Sequence, residues 1–137
     1  MDDVITGDGW AVSSIDRLGD GPGFRKIRTP LGITAFGMNA IVLPAGIETG
    51  RHYHDRQQEV YFLHAGCIEM EFGDGATQTL EAGGVARVDP STVRKIRNVG
   101  DGDAIYVIVG GADGYVGRDG VAPEGSARVS GPPGAAG

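Results

Sequence analysis

Residues 46–66 run Gly46-Ile47-Glu48-Thr49-Gly50-Arg51-His52-Tyr53-His54-Asp55-Arg56-Gln57-Gln58-Glu59-Val60-Tyr61-Phe62-Leu63-His64-Ala65-Gly66. All 3 histidines of the chain fall inside this stretch. His52 and His54 are two apart, so on an extended strand both project from one face while Tyr53 points the other way. Glu59 opens the next apolar run and supplies a hard oxygen donor. Two imidazoles and one carboxylate are the donor set of a facial metal triad, with positions left open for water, dioxygen or substrate. The same pair on a surface loop would be solvated polar residues, and spacing alone leaves both readings standing.

Outward from this stretch the chain alternates short apolar runs with turn signals. Met38, Ala40 and Val42 share one face of a run that Pro44-Ala45-Gly46 ends. Ile68, Met70 and Phe72 alternate with Cys67, Glu69 and Glu71, a period of two with the acids outward. Gly73-Asp74-Gly75 reads as a hairpin turn and Gln78-Thr79-Leu80 as the returning strand. Val85 to Val88 is another short strand, and Arg94, Ile96 and Asn98 share a face beyond it. Ala104 to Val109 is apolar throughout, as in a strand covered on both faces. Phe36, Met38 and Met70 read as core or cavity wall. By parity with Val60 and Phe62, His64 points outward. No stretch carries a helical period of ten or more residues. The expected fold is all-β, a compact antiparallel sandwich or barrel.

Composition agrees. Glycine fills 25 of 137 positions, more than double the usual ~7%, and without a collagen-like period it marks many tight turns. The balance of 12 basic and 18 acidic residues, net −6, excludes the basic face that a nucleic-acid binder needs. A single cysteine, Cys67, forms no internal disulfide and faces away from the apolar positions of its strand. The Gly19–Gly23 run lacks the Lys-Ser/Thr of a phosphate loop. Met1-Asp2-Asp3-Val4 has neither the basic nor the apolar part of a secretory signal, and no apolar run reaches the ~18 residues of a membrane span. A cytoplasmic chain without a membrane partner is expected. Residues 117–137 hold 6 glycines, 3 prolines and no aromatic, too little apolar surface to offset their ordering entropy. The expected organisation is one domain over 1–116 and a weakly ordered tail over 117–137.

The spacing Gly46-x5-His52-x-His54-x4-Glu59-x6-Gly66 resembles the first motif of the cupin family. Downstream, Gly83, Asp89, Ser91, Arg94 and Asn98 stand where the family's second motif places a glycine, Pro-x-Gly, a histidine and an asparagine. Only Gly83 and Asn98 match; Arg94 replaces the fourth ligand. The resemblance, over about residues 30–110, implies a small antiparallel jelly-roll β-barrel with a metal site inside. It carries over His52, His54 and Glu59 as ligands of one divalent transition metal ion, among Mn, Fe, Ni, Cu and Zn.

Arginine stays protonated and has no lone pair to donate, so Arg94 is no ligand. Two outcomes follow. In one, three ligands hold the ion and Arg94, with Tyr61 sharing the parity of Glu59, lines the site for a small-molecule substrate. The chain is then a metal-dependent dioxygenase or isomerase. In the other, Arg94 pairs with Glu59 and the barrel is a metal-free, non-enzymatic module that binds or senses a small anion. Val60 and Phe62, apolar and outward on one strand, point to a homodimer, as does the resemblance.

Overall fold

A computed structural model describes residues 3–123. Within them the strands are β1 (Ile5–Gly7), β2 (Trp10–Val12), β3 (Gly23–Lys26), β4 (Gly37–Leu43), β5 (Tyr53–His54) and β6 (Gln58–Ala65). They continue as β7 (Cys67–Phe72), β8 (Thr77–Glu81), β9 (Val85–Val88), β10 (Arg94–Asn98), β11 (Ala104–Gly111) and β12 (Gly120–Val121). One helical turn, α1 (Arg28–Leu31), separates β3 from β4. Every strand pair is antiparallel.

Two layers enclose the core. One is a five-stranded sheet in the order β3-β4-β11-β6-β9, the other a three-stranded sheet in the order β10-β7-β8. The short β12–β5 pair joins the second layer through bridges from Glu48 to Arg97 and from His52 to Arg94. The core takes Ile41, Leu43, Leu63 and Tyr106 from one layer and Ile68, Met70 and Ile96 from the other. This is the all-β jelly-roll.

Period-two alternation produces the faces. On β6, Glu59, Tyr61 and Leu63 are buried while Val60, Phe62 and His64 are exposed. On β7, Ile68 and Met70 are buried, and on β10 Arg94, Ile96 and Asn98 are. The acids on the other face of β7 meet cations: Glu69 pairs with Arg97 at 2.9 Å and Glu71 with Arg51 at 2.8 Å. Such surface pairs contribute only about 0.2–1 kcal/mol each, so the core sets the register.

Three expectations need correction. The face of β4 that joins the core is that of Ile41 and Leu43, although Ala40 and Val42 are buried on the opposite face. β11 buries Ala104, Tyr106 and Ile108 in the core but leaves Ile105, Val107 and Val109 half-covered, because alternation turns these three away from the core cluster. Phe36 is 39% exposed, because it precedes β4 instead of lying in it. Part of the stretch expected as tail is paired with the domain. Gly120 and Val121 pair with His54 and Tyr53, because an extended strap along β5 satisfies backbone groups that a free tail would leave to water. Positions 124–137 of the expected tail lie outside the described residues.

Gly66 turns β6 into β7 with φ of 89°. A Cβ there would sit 2.8 Å from the Ala104 Cα and 2.9 Å from the Asp103 carbonyl oxygen, contacts with backbone that cannot rotate away. Gly66→Ala is expected to destabilise the fold by about 2 kcal/mol or more, read as a lower urea midpoint with an unchanged slope.

Candidate metal centre

The bridge from His52 to β10 is a pair of backbone hydrogen bonds, His52 N–H to the Arg94 carbonyl at 3.1 Å and Arg94 N–H to the His52 carbonyl at 2.9 Å. It brings the His-x-His segment over the inward face of the opposite sheet. His52 and His54 are 2% and 0% exposed, with their rings edge to face at 5.2 Å between centroids. Glu59, 1% exposed, reaches the same point from β6. Donor atoms of His52, His54 and Glu59 all lie within 4.8 Å of one another.

The Glu59 carboxylate organises the interior. Its Oε1 accepts a hydrogen bond from the Tyr61 hydroxyl at 2.8 Å, with His54 Nε2 at 3.1 Å and Arg94 Nη2 at 3.8 Å. Arg94 is fully buried. Its guanidinium is held mainly by the Thr92 carbonyl, at 2.8 Å from Nη1, and its Nε has no partner. His52 Nδ1 and the Tyr106 hydroxyl are likewise buried without a hydrogen-bond partner.

Behind His54 stands Asp119, which sequence reasoning assigned to the tail. Its Oδ1 lies 2.7 Å from His54 Nδ1 and accepts from Gln57 Nε2 at 2.6 Å. Its Oδ2 accepts from the backbone N–H groups of Arg56 and Gln57 at 2.7 and 3.1 Å. Gly110 makes room for this arrangement, since a Cβ there would collide with Gln57 Oε1. A carboxylate accepting at Nδ1 keeps a proton on that nitrogen and leaves Nε2, 3.1 Å from Glu59 Oε1, as the nitrogen that can bind a metal once its own proton is lost. No local signal marks Asp119 or Gln57: the contact to His54 spans 65 residues for one and is a short loop turn for the other.

Ionisation follows from these contacts. Burial, helped by His54 and Arg94 nearby, pushes His52 down to about 4, so it is a neutral donor at physiological pH. Burial also disfavours a charged His54, but the Glu59 carboxylate and Asp119 outweigh it and raise its pKa. Burial acts against a charged Glu59, but His54, Arg94 and the Tyr61 hydroxyl outweigh it and hold its pKa low. Asp119 is held well below the usual carboxylate range because its hydrogen bonds, led by Gln57, exceed its desolvation. Burial and then Glu59 push the Tyr61 phenol far up, which keeps it a donor.

The donor chemistry fits a first-row divalent cation: two imidazoles and one carboxylate, buried and convergent. Of the sequence-expected residues, His52, His54, Glu59, Tyr61 and Arg94 all meet at this point. His64 is exposed on the other face of β6.

Residues 39–110 match the Cupin domain family. The chain belongs to that family. A search of curated proteins gave no match. Among solved structures, the chain is similar to an uncharacterized Klebsiella pneumoniae protein with a double-stranded β-helix domain. The two share 24% identity with a TM-score of 0.65, over 75% of this chain and 90% of that one. A cupin-superfamily sugar phosphate isomerase from Silicibacter pomeroyi aligns at 23% identity and TM-score 0.58, over 64% of this chain and 57% of its own. A predicted oxalate decarboxylase from Thermotoga maritima aligns at 22% identity and TM-score 0.56, over 64% and 76%. At these identities the likeness is one of fold. Arg94, in the matched region, is buried. Among the described residues no helix is long and apolar enough to cross a membrane.

Removing the charge behind His54 tests its positioning. Asp119→Asn is expected to leave the fold intact by circular dichroism and to weaken zinc binding about 10–100-fold in a chelator competition titration.

Proposed function

We propose that this cupin holds one divalent metal ion through His52, His54 and Glu59 and acts on a small organic molecule there. The observation that carries the reading is the convergence of three buried donors within 4.8 Å. His54 Nε2 already meets the Glu59 carboxylate there, at 3.1 Å, and a shared cation would draw the two imidazoles and the carboxylate together as its donors. Bound there, an ion among Mn, Fe, Ni, Cu and Zn would supply Lewis-acid polarisation of substrate oxygens or a seat for dioxygen. An isomerase or an oxygenase is the reaction class we favour. The names of two similar folds, a sugar phosphate isomerase and a predicted oxalate decarboxylase, fit small oxygen-rich substrates.

The chain's own groups have distinct tasks in this reading. Tyr61 donates to Glu59 and fixes the carboxylate's orientation. Asp119 holds the His54 proton on Nδ1. Arg94 supplies a fixed positive charge beside Glu59, and its unpartnered Nε–H is the donor left for a substrate oxygen. A second reading rests on the Arg94–Glu59 approach of 3.8 Å: a site already neutralised by Arg94 and protonated His54, binding a small anion without metal.

Metal titration separates the two. The metal reading expects about one ion per chain, lost in the double variant His52→Ala, His54→Ala. Arg94→His is expected to tighten binding by roughly 1–3 kcal/mol, the scale of one charged contact. Absence of uptake for all five ions would leave the anion module. A pH series adds a sign. His54 must give up the Nε2 proton to ligate, so affinity is expected to fall about tenfold per pH unit once pH drops below its raised pKa. His52 adds nothing to that slope until pH nears 4, the value to which burial depresses it.

We also propose a homodimer through the outer face of β6 and β9. Val60 and Phe62 are 42% and 41% exposed, and Val85, the cross-strand partner of Phe62, is 67% exposed. Three apolar side chains adjacent on one sheet face suit a self-complementary two-fold contact. Light scattering is expected to give twice the mass of the 14.2 kDa chain, and Phe62→Asp to shift it toward the monomer.

A further inference from the structure

A second set of charged residues converges away from the metal centre. Lys26 at the end of β3, Arg28 in α1 and Arg118 in the strap before β12 line one groove of about 140 Å³. None of the three takes part in an ion pair among the described residues, where Arg51, Arg87, Arg94, Lys95 and Arg97 do and Arg17, Arg25 and Arg56 likewise do not. Three like charges gathered without a carboxylate repel one another, and in a chain of net charge −6 there is no shortage of acids to separate them. The gathering has a cost that a bound anion reverses.

The groove is also built. Arg28 is fixed, its guanidinium stacked 3.7 Å over the centre of the Tyr115 ring, a contact that costs the side chain its freedom before any ligand arrives. Asn39, only 7% exposed, places a buried amide at the groove wall, and Thr29 adds a hydroxyl. Phe24 gives an apolar surface that continues into the core. Arg118 and Asp119 are consecutive on an extended strap: Asp119 turns inward onto His54, while exposed Arg118 turns into the groove. A small groove of this lining suits a phosphate or carboxylate on a short organic body.

We infer that this groove binds the oxyanion end of a small molecule, with Lys26, Arg28 and Arg118 supplying charge-assisted hydrogen bonds. It shares no residue with His52, His54 and Glu59, so the inference stands independently of the metal reading. The test uses the full chain stripped of metal by a chelator. Inorganic phosphate is titrated calorimetrically at ionic strength matched with chloride, and acetate is titrated in parallel. The expected result is saturable one-to-one phosphate binding with a Kd of about 1 mM or tighter. Lys26→Met and Arg118→Met, both surface changes checked by circular dichroism, are each expected to weaken it at least tenfold. Arg87→Met, on the outer face of β9, is expected to leave it unchanged. Acetate binding as tightly as phosphate assigns the groove to carboxylates, and weaker acetate binding assigns it to phosphates. Phosphate binding weaker than about 10 mM, or equal losses in the Arg87 variant, would overturn the inference, since charge screening alone would then explain the result.

Discussion

A carboxylate sits in the middle of an apolar barrel, and the arrangement of this chain follows from keeping it there. Glu59 is 1% exposed and ionised. Removing such a group from water costs several kcal/mol unless partners replace the solvent. Tyr61, two residues along the same strand, donates one hydrogen bond. His54 and Arg94 supply positive charge from the facing layer. A register slip of one residue on β6 would put Val60 inside and Glu59 out, so the hairpin turn at Gly66 and the core residues Leu63 and Ile68 together fix the site as well as the fold.

The second dependence runs through His54. Its ring is clamped between two carboxylates, Glu59 on the inner side and Asp119 on the outer. A strap from the end of β11 must therefore lie down along β5 before the imidazole has a defined tautomer. Four donors on Asp119 make that contact a fixed part of the domain. The centre is completed by chain that follows the matched family region, beyond residue 110.

How much of this was legible from the sequence depends on contact range. Strands β6, β7 and β10 were, because alternation writes the buried face into every second residue, and it placed Glu59, Tyr61 and Arg94 inside. The His-x-His spacing gave two donors on one face. Asp119 was invisible: it lies among glycines, and its meaning resides in a contact 65 residues away. Gln57 is equally silent, since its partner Asp119 is 62 residues away. β4 was misread because a strand buried on both sides has no alternation to follow. Charges such as Arg97 and Glu69 could be placed outward but not paired, since pairing requires the register of β7 against β10.

Imidazole nitrogens report on the central claim without any knowledge of substrate. Long-range proton–nitrogen spectra of the full chain, recorded before and after one equivalent of zinc, resolve the 3 histidines separately. The expected result is that His52 and His54 shift together, that His54 keeps its Nδ1 proton against Asp119 while Nε2 takes the metal, and that exposed His64 does not move. Spectra in which neither buried histidine responds, or in which His64 alone does, would contradict a metal centre at Glu59.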